Sequence, residues 1–276
     1  MRVRGHLLQS DAGEAVPFER SPNQSAGLSP KYLIIHYTAG SSAESSIGHM
    51  LKPSAKASAH LVVARDGVIS QLVPFNRVAW HAGRSQWHGT VGLNRHAIGI
   101  ELDNAGKLEW QGNQWRSWFG RSYPEDEILV AAHKHEDRDC GWHVYTEAQL
   151  MAVTEAAQAI MDHYSLLDVL GHDDIAPNRK RDPGPAFPMD SFRASITGRD
   201  ADLPLRFEVR VNLNIRGGPG TAHDKIRDEP LPPGTLVLLH SRESSWCFVE
   251  VLDENGAPDL TGWVHGDYIA PADAEA

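Results

Sequence analysis

The pattern of apolar and polar positions changes character near residue 200. Before it, short apolar runs alternate with helically spaced stretches; after it, only short strands between Gly/Pro turns remain. Residues 1–30 read as an N-terminal arm ending in the turn-rich stretch SPNQSAGLSP. The first firm strand is Tyr32–Tyr37 (YLIIHY), and a helix is expected over residues 42–51. Residues 60–65, an Asp66-Gly67 turn and residues 68–73 read as a β-hairpin, and Ala97–Leu102 (AIGIEL) as a further buried strand. Residues 105–141 form a polar, Trp-bearing excursion, expected as a long functional or mobile loop. Thr146 followed by Gln149 is a capping-box pattern, and Leu150, Val153, Ala157, Ile160, Met161 and Tyr164 then recur at helical spacing. Strands mixed with packed helices predict an α/β domain over residues 31–200. About 70 residues of short strands then predict a small all-β barrel over residues 205–276.

Composition narrows the function classes. With 41% hydrophobic and 22% charged residues the chain has an ordinary globular balance, and its net charge of −10 argues against nucleic acid as a partner. No stretch approaches the roughly 20 apolar residues of a membrane span. The N-terminus lacks the apolar core of a standard secretory signal, so the expected place of synthesis is the cytoplasm. Action is then expected either there or, through lysis or a dedicated secretion machine, at the cell wall or periplasm. Cys140 and Cys247 are too few and too far apart for a disulfide framework or a metal site.

Fifteen histidines are present, and a lone histidine more often satisfies a hydrogen bond than binds a metal. Composition therefore does not select a site. Five strings do: YLIIHYTAG, SAHLVVARDG, AWHAG, IGIEL and GHDDIAPNRKRDPGPAF. Together, over about residues 30–195, they resemble the type 2 N-acetylmuramoyl-L-alanine amidase family. The likeness is nearest to its recycling amidases for anhydro-muropeptides, and the family also holds phage-type amidases and peptidoglycan-recognition proteins.

That resemblance implies a mixed central β-sheet flanked by helices. It implies Zn2+ held by His36, His172 and Asp182, a set of two neutral imidazoles and one carboxylate that leaves a coordination position open for water. It makes Glu101 the general base and Lys180 the group facing the scissile carbonyl. It sets Ala176 and Arg179 along the sugar side of the cleft and His81 on the cleft wall. Taken singly, Glu101 reads as a strand-end carboxylate in an ion pair and Lys180 as a solvated loop charge.

Other residues stay open. His60 either lines the cleft or is a hydrogen-bonded core histidine. His133 and His135 have metal-like spacing but no third ligand in any motif, and read as part of a solvated polar loop. Trp110, Trp115 and Trp118 either stack on sugar rings or cap the core. NLNIRGGPG and GWVHGDYI resemble bacterial Src-homology-3 barrels, with Trp246, Trp263 and Tyr268 as groove or core aromatics. Two function classes follow. One is a hydrolase of the N-acetylmuramic acid–L-alanine bond in peptidoglycan or muropeptides; the other is a non-catalytic peptidoglycan-binding protein. Asp182, Glu101 and Lys180 favour the first. The barrel points to a wall-lytic role as lysin or secreted antibacterial effector, the latter with an immunity protein as partner. Cytosolic recycling is the alternative.

Overall fold

A computed structural model of the protein describes residues 1–87, 89–197, 205–243, 245–254 and 256–272. The chain divides into two compact units, Met1–Trp87 with Val91–Ala201, and His88–Thr90 with Asp202–Ala276. The N-terminal segment, expected as an arm, belongs to the first unit. Strands β1 (Arg2–Arg4) and β2 (Leu7–Gln9) form an antiparallel hairpin. Leu8 is fully buried in the main core, and its N–H donates to Gln71 Oε1 at 2.9 Å. Strands of three residues are too short to leave a readable periodicity.

The main sheet combines β3 (Tyr32–Tyr37), β4 (Leu61–Val63), β5 (Ile69–Gln71), β6 (Ala97–Leu102) and β11 (Asp168–Gly171). Its order is β11-β3-β6-β4-β5, parallel except for the antiparallel edge strand β5. This is the mixed sheet that the resemblance implies, and β4–β5 is the expected hairpin. Strand alternation separates its two faces. Leu33 and Ile35 of β3 and Ile98, Ile100 and Leu102 of β6 pack in one cluster with helix α2 (Glu147–Tyr164). The opposite face carries His36, Gly99 and Glu101. Helix α1 (Ala43–Met50) begins at Ser42, whose hydroxyl accepts the Ser45 N–H. The Thr146/Gln149 capping box starts α2, and the buried Gln149 amide also donates to the carbonyls of Val63 and Asp103. Helix α3 (His172–Ile175) directly follows β11, and α4 (Met189–Thr197) packs against α2.

Residues 105–141 are not a loop. They fold into β7 (Lys107–Gln111), β8 (Gln114–Arg116), β9 (Ile128–Ala132) and β10 (Asp139–His143), an antiparallel sheet of order β8-β7-β10-β9. Gly112 and Asn113, both at positive φ, make the two-residue turn between β7 and β8. That Gly-Asn signal was legible, as was the polar/apolar alternation of the strands on either side of it.

The second unit is an all-antiparallel five-stranded sheet. Its strands are β12 (Leu205–Val209), β13 (Leu236–Glu243), β14 (Trp246–Leu252), β15 (Pro258–His265) and β16 (Ile269–Pro271), ordered β15-β14-β13-β12-β16. Val209, Ile215, Val237, Cys247, Val249 and Val264 fill its own core. Leu213 and Arg216 lie outside these strands and make isolated bridges. Both cysteines are free thiols.

Candidate metal centre and cleft

Parallel pairing brings the candidate residues together at the carboxyl ends of three neighbouring strands. Glu101 is the register partner of His36, and Gly171 that of Ile35, so His172 emerges beside His36. Open parallel sheets bind ligands at this end. His36, His172 and Asp182 are at most 5% exposed, and among the described residues they form the one cluster of three metal-ligating side chains. Their donor atoms nearly touch: His36 Nδ1 lies 2.9 Å from His172 Nδ1 and 2.9 Å from Asp182 Oδ2, and His172 Nδ1 lies 2.8 Å from Asp182 Oδ2.

The outer hydrogen bonds determine which ring nitrogens carry protons. Ala97 O can only accept, so His81 donates to it from Nε2 at 3.2 Å and leaves Nδ1 as an acceptor. His36 Nε2–H donates to that acceptor at 3.0 Å, which leaves His36 Nδ1 with a free lone pair. His172 Nε2–H donates to Ala82 O at 3.1 Å, with the same consequence at its Nδ1. Burial, and then the neighbouring His172, push His36 down to about 4, so near pH 7 it is neutral. Two imidazole lone pairs and a carboxylate oxygen thus face one another with no proton between them, and a cation is the group that satisfies all three. The donor set fits zinc.

Above this set lies a cavity of about 660 Å³, lined by His81, Glu101 and Lys180, by Ser45, Ser46 and His49 of α1, and by Trp80, Trp118 and Phe119. Glu101 Oε2 is buried without a hydrogen-bond partner. Burial, reinforced by Asp182 and opposed by Lys180, pushes its carboxyl well above 4.5. Ala176 and Arg179 are not among the lining residues. Ala176 is buried, and Arg179 Nη2 is a strut that donates to Ala82 O at 2.9 Å and Arg84 O at 2.8 Å. His81 lines the cavity, and its hydrogen bond to His36 also orients that ring. His60 is a fully buried core histidine, with Nδ1 accepting Gly99 N–H at 3.0 Å and Nε2–H donating to Arg77 O at 2.9 Å.

Asn94 went unread in the sequence. Asn94 Oδ1 accepts the N–H groups of His81 and Ala82, fixing the AWHAG loop. Trp118, 76% exposed, reaches the cavity rim and donates its indole N–H to Ala39 O at 2.7 Å. Trp110 and Trp115 instead pair across their hairpin, 5.2 Å apart. His135 is exposed in a turn, as the solvated-loop reading expects, but His133 is not. His133 is 2% exposed and sits 3.0 Å from Asp173 Oδ2, while His135 contacts the Asp173 carbonyl.

Three potential metal ligands beside a half-buried carboxylate, at the ends of parallel strands, define an α/β protein with a candidate metal centre. The family model described as N-acetylmuramoyl-L-alanine amidase matches residues 26–185. The chain belongs to that family. It is 34% identical over 144 residues to the 1,6-anhydro-N-acetylmuramyl-L-alanine amidase AmpD of Escherichia coli K12, covering 51% of this chain and 60% of the relative. It is 35% identical over 196 residues to the N-acetylmuramoyl-L-alanine amidase AmiD of the same strain, covering 68% of this chain and 59% of the relative. The chain thus spans about three-fifths of each relative's length. A crystal structure of a selenomethionine AmpD derivative superposes with a TM-score of 0.50 at 25% identity, over 71% of this chain and 99% of that one.

Proposed function

We propose that the protein is a zinc-dependent amidase that hydrolyses the bond between N-acetylmuramic acid and L-alanine and releases a stem peptide. The observation that carries this reading is the convergence of three lone-pair donors at the strand end where Glu101, the register partner of His36, lines the cavity with its Oε2 buried and without a hydrogen-bond partner. His36, His172 and Asp182 would hold the zinc, which when bound would supply water of lowered pKa and a Lewis acid. Glu101, as the carboxylate, takes a proton from the attacking water and returns it to the leaving L-alanine nitrogen. Lys180, lining the same cavity, donates to the developing oxyanion. His81 keeps His36 in its ligating tautomer, and Arg179 braces the loop beside the sugar side.

Soluble anhydro-muropeptides are the first substrate in this reading, supported by the likeness to the E. coli 1,6-anhydro-N-acetylmuramyl-L-alanine amidase. The wall-lytic role is the second reading. It is favoured by the five antiparallel strands of the second unit, which we read as a Src-homology-3-like barrel that meets the wall. The test incubates purified protein with anhydro-muropeptides and, separately, with intact sacculi, and identifies the products by mass spectrometry. Zinc-dependent release of peptides with a free L-alanine amino terminus is expected, and the preferred substrate separates the two roles. Glu101→Gln is expected to lower kcat by about 10²–10⁴. The wild-type rate is expected to fall on the acid side at a pH above 4.5, because the base must be ionised and its carboxyl is raised. No peptide release from either substrate overturns the proposal.

A further inference from the structure

We propose that residues 133–136, the turn between β9 and β10, form a positioning clamp on the ligand-bearing segment 172–182 and thereby set the zinc affinity of the site. The inference rests on the metal reading above. His172 is anchored by the strand it follows, but Asp182 lies ten residues further along a segment with little regular structure after α3. What fixes that far end is its own carbonyl, which accepts the Asp173 N–H at 2.9 Å. The position of Asp182 therefore follows that of Asp173, and the inserted sheet holds Asp173.

Four consecutive residues engage the segment. His133 Nδ1 accepts the His135 N–H at 3.1 Å, so Nε2 carries the proton and donates to Asp173 Oδ2 at 3.0 Å. Lys134 Nζ lies 2.9 Å from Asp173 Oδ1 as an ion pair, and donates to Asp174 Oδ1 at 2.6 Å. His135 Nε2–H donates to Asp173 O at 3.1 Å. Glu136 accepts from Arg181 Nε at 2.6 Å and from Lys107 Nζ at 2.7 Å, which ties the residue before Asp182 to the root of the inserted sheet. The Asp174 carboxylate completes the frame by accepting the Gly171 N–H at 2.7 Å, immediately before His172. Both ends of the ligand segment are thereby referred to one turn.

Partners that orient metal ligands from outside typically contribute about 10–100-fold in metal affinity. The test uses the full chain stripped of metal, with zinc binding measured by competition against a chromophoric chelator and melting temperature recorded with and without zinc. His133→Ala and the milder Glu136→Gln are each expected to weaken zinc binding by about 10–100-fold and to shrink the zinc-induced rise in melting temperature. His133→Gln keeps a donor for Asp173 and an acceptor for the His135 N–H, and is expected to restore most of the affinity. Variants that bind zinc as tightly as wild type, even with a lower metal-free melting temperature, overturn the clamp and leave the metal site standing. Failure of the wild type to bind zinc overturns both.

Discussion

A single methyl group at Gly99 tests the reasoning about His81. Gly99 lies mid-strand on the face that carries the candidate site, and a Cβ built there would sit 2.5 Å from His81 Cγ and Nδ1 and 2.8 Å from Cε1. Ordinary carbon contacts begin near ~3.5 Å, so the ring must swing by about 1 Å. It has little freedom to do so. Its Nε2–H is held by Ala97 O, its Nδ1 by His36, and its backbone N–H by Asn94. Overpacking of this kind costs about 1–3 kcal/mol of stability, and a buried His36 N–H left without an acceptor costs a similar amount. Gly99→Ala is therefore expected to destabilise the fold by about 2–4 kcal/mol in urea unfolding. Misorientation of His36 is expected to weaken zinc binding by about 10–100-fold, roughly 1.4–2.8 kcal/mol. The sharper outcome is non-additivity. In a His81→Ala background the space is vacant, so Gly99→Ala should then cost little, and the cycle should show a coupling close to its wild-type cost, about 2–4 kcal/mol. Independent, additive effects of the two substitutions, or wild-type zinc affinity in Gly99→Ala, would refute the proposed chain from Gly99 through His81 to His36.

Trp118→Ala is expected to raise KM for a muropeptide about tenfold while leaving kcat nearly unchanged, because the exposed indole offers the sugar a flat face without touching the reacting atoms; an unchanged KM would put the ring outside the binding path. His60, pushed down to about 4 by burial, stays neutral in the folded chain while the unfolded chain takes up a proton below 6.5. Its contribution is complete above pH 6.5 and is lost as pH falls from 6.5 toward 4, by at most about 1.4 kcal/mol per pH unit. Urea titrations at several pH values should give His60→Gln a shallower decline than wild type, and parallel declines would contradict the assignment.

Much of the fold was written locally. The strands Tyr32–Tyr37 and Ala97–Leu102 coincide with their apolar runs, and the Thr146/Gln149 box opens α2 where the pattern placed it. These signals lie within a few residues of one another, which is the range over which periodicity and capping act. The inserted sheet escaped notice although KLEWQ alternates and ILVAA is an apolar run, because these short strands are spread through a long polar stretch; the N-terminal hairpin did because its strands are too short to show a period. The candidate ligands were legible only as strings that resemble a family; no spacing rule joins His36 to a residue 136 positions away.

What the sequence determined by itself was therefore the core elements, namely strands β3 and β6, the β4–β5 hairpin and helices α1 and α2, and the motif strings that carry the candidate chemistry. Tertiary structure alone decided that Glu101 faces His36 across a parallel register, that Ala97 O sets the protons of two histidines, and that His133 grips Asp173. Each of these depends on a partner far away in the chain, where local propensity says nothing. Only the pairing of strands and the closing of the core bring such groups within hydrogen-bond reach.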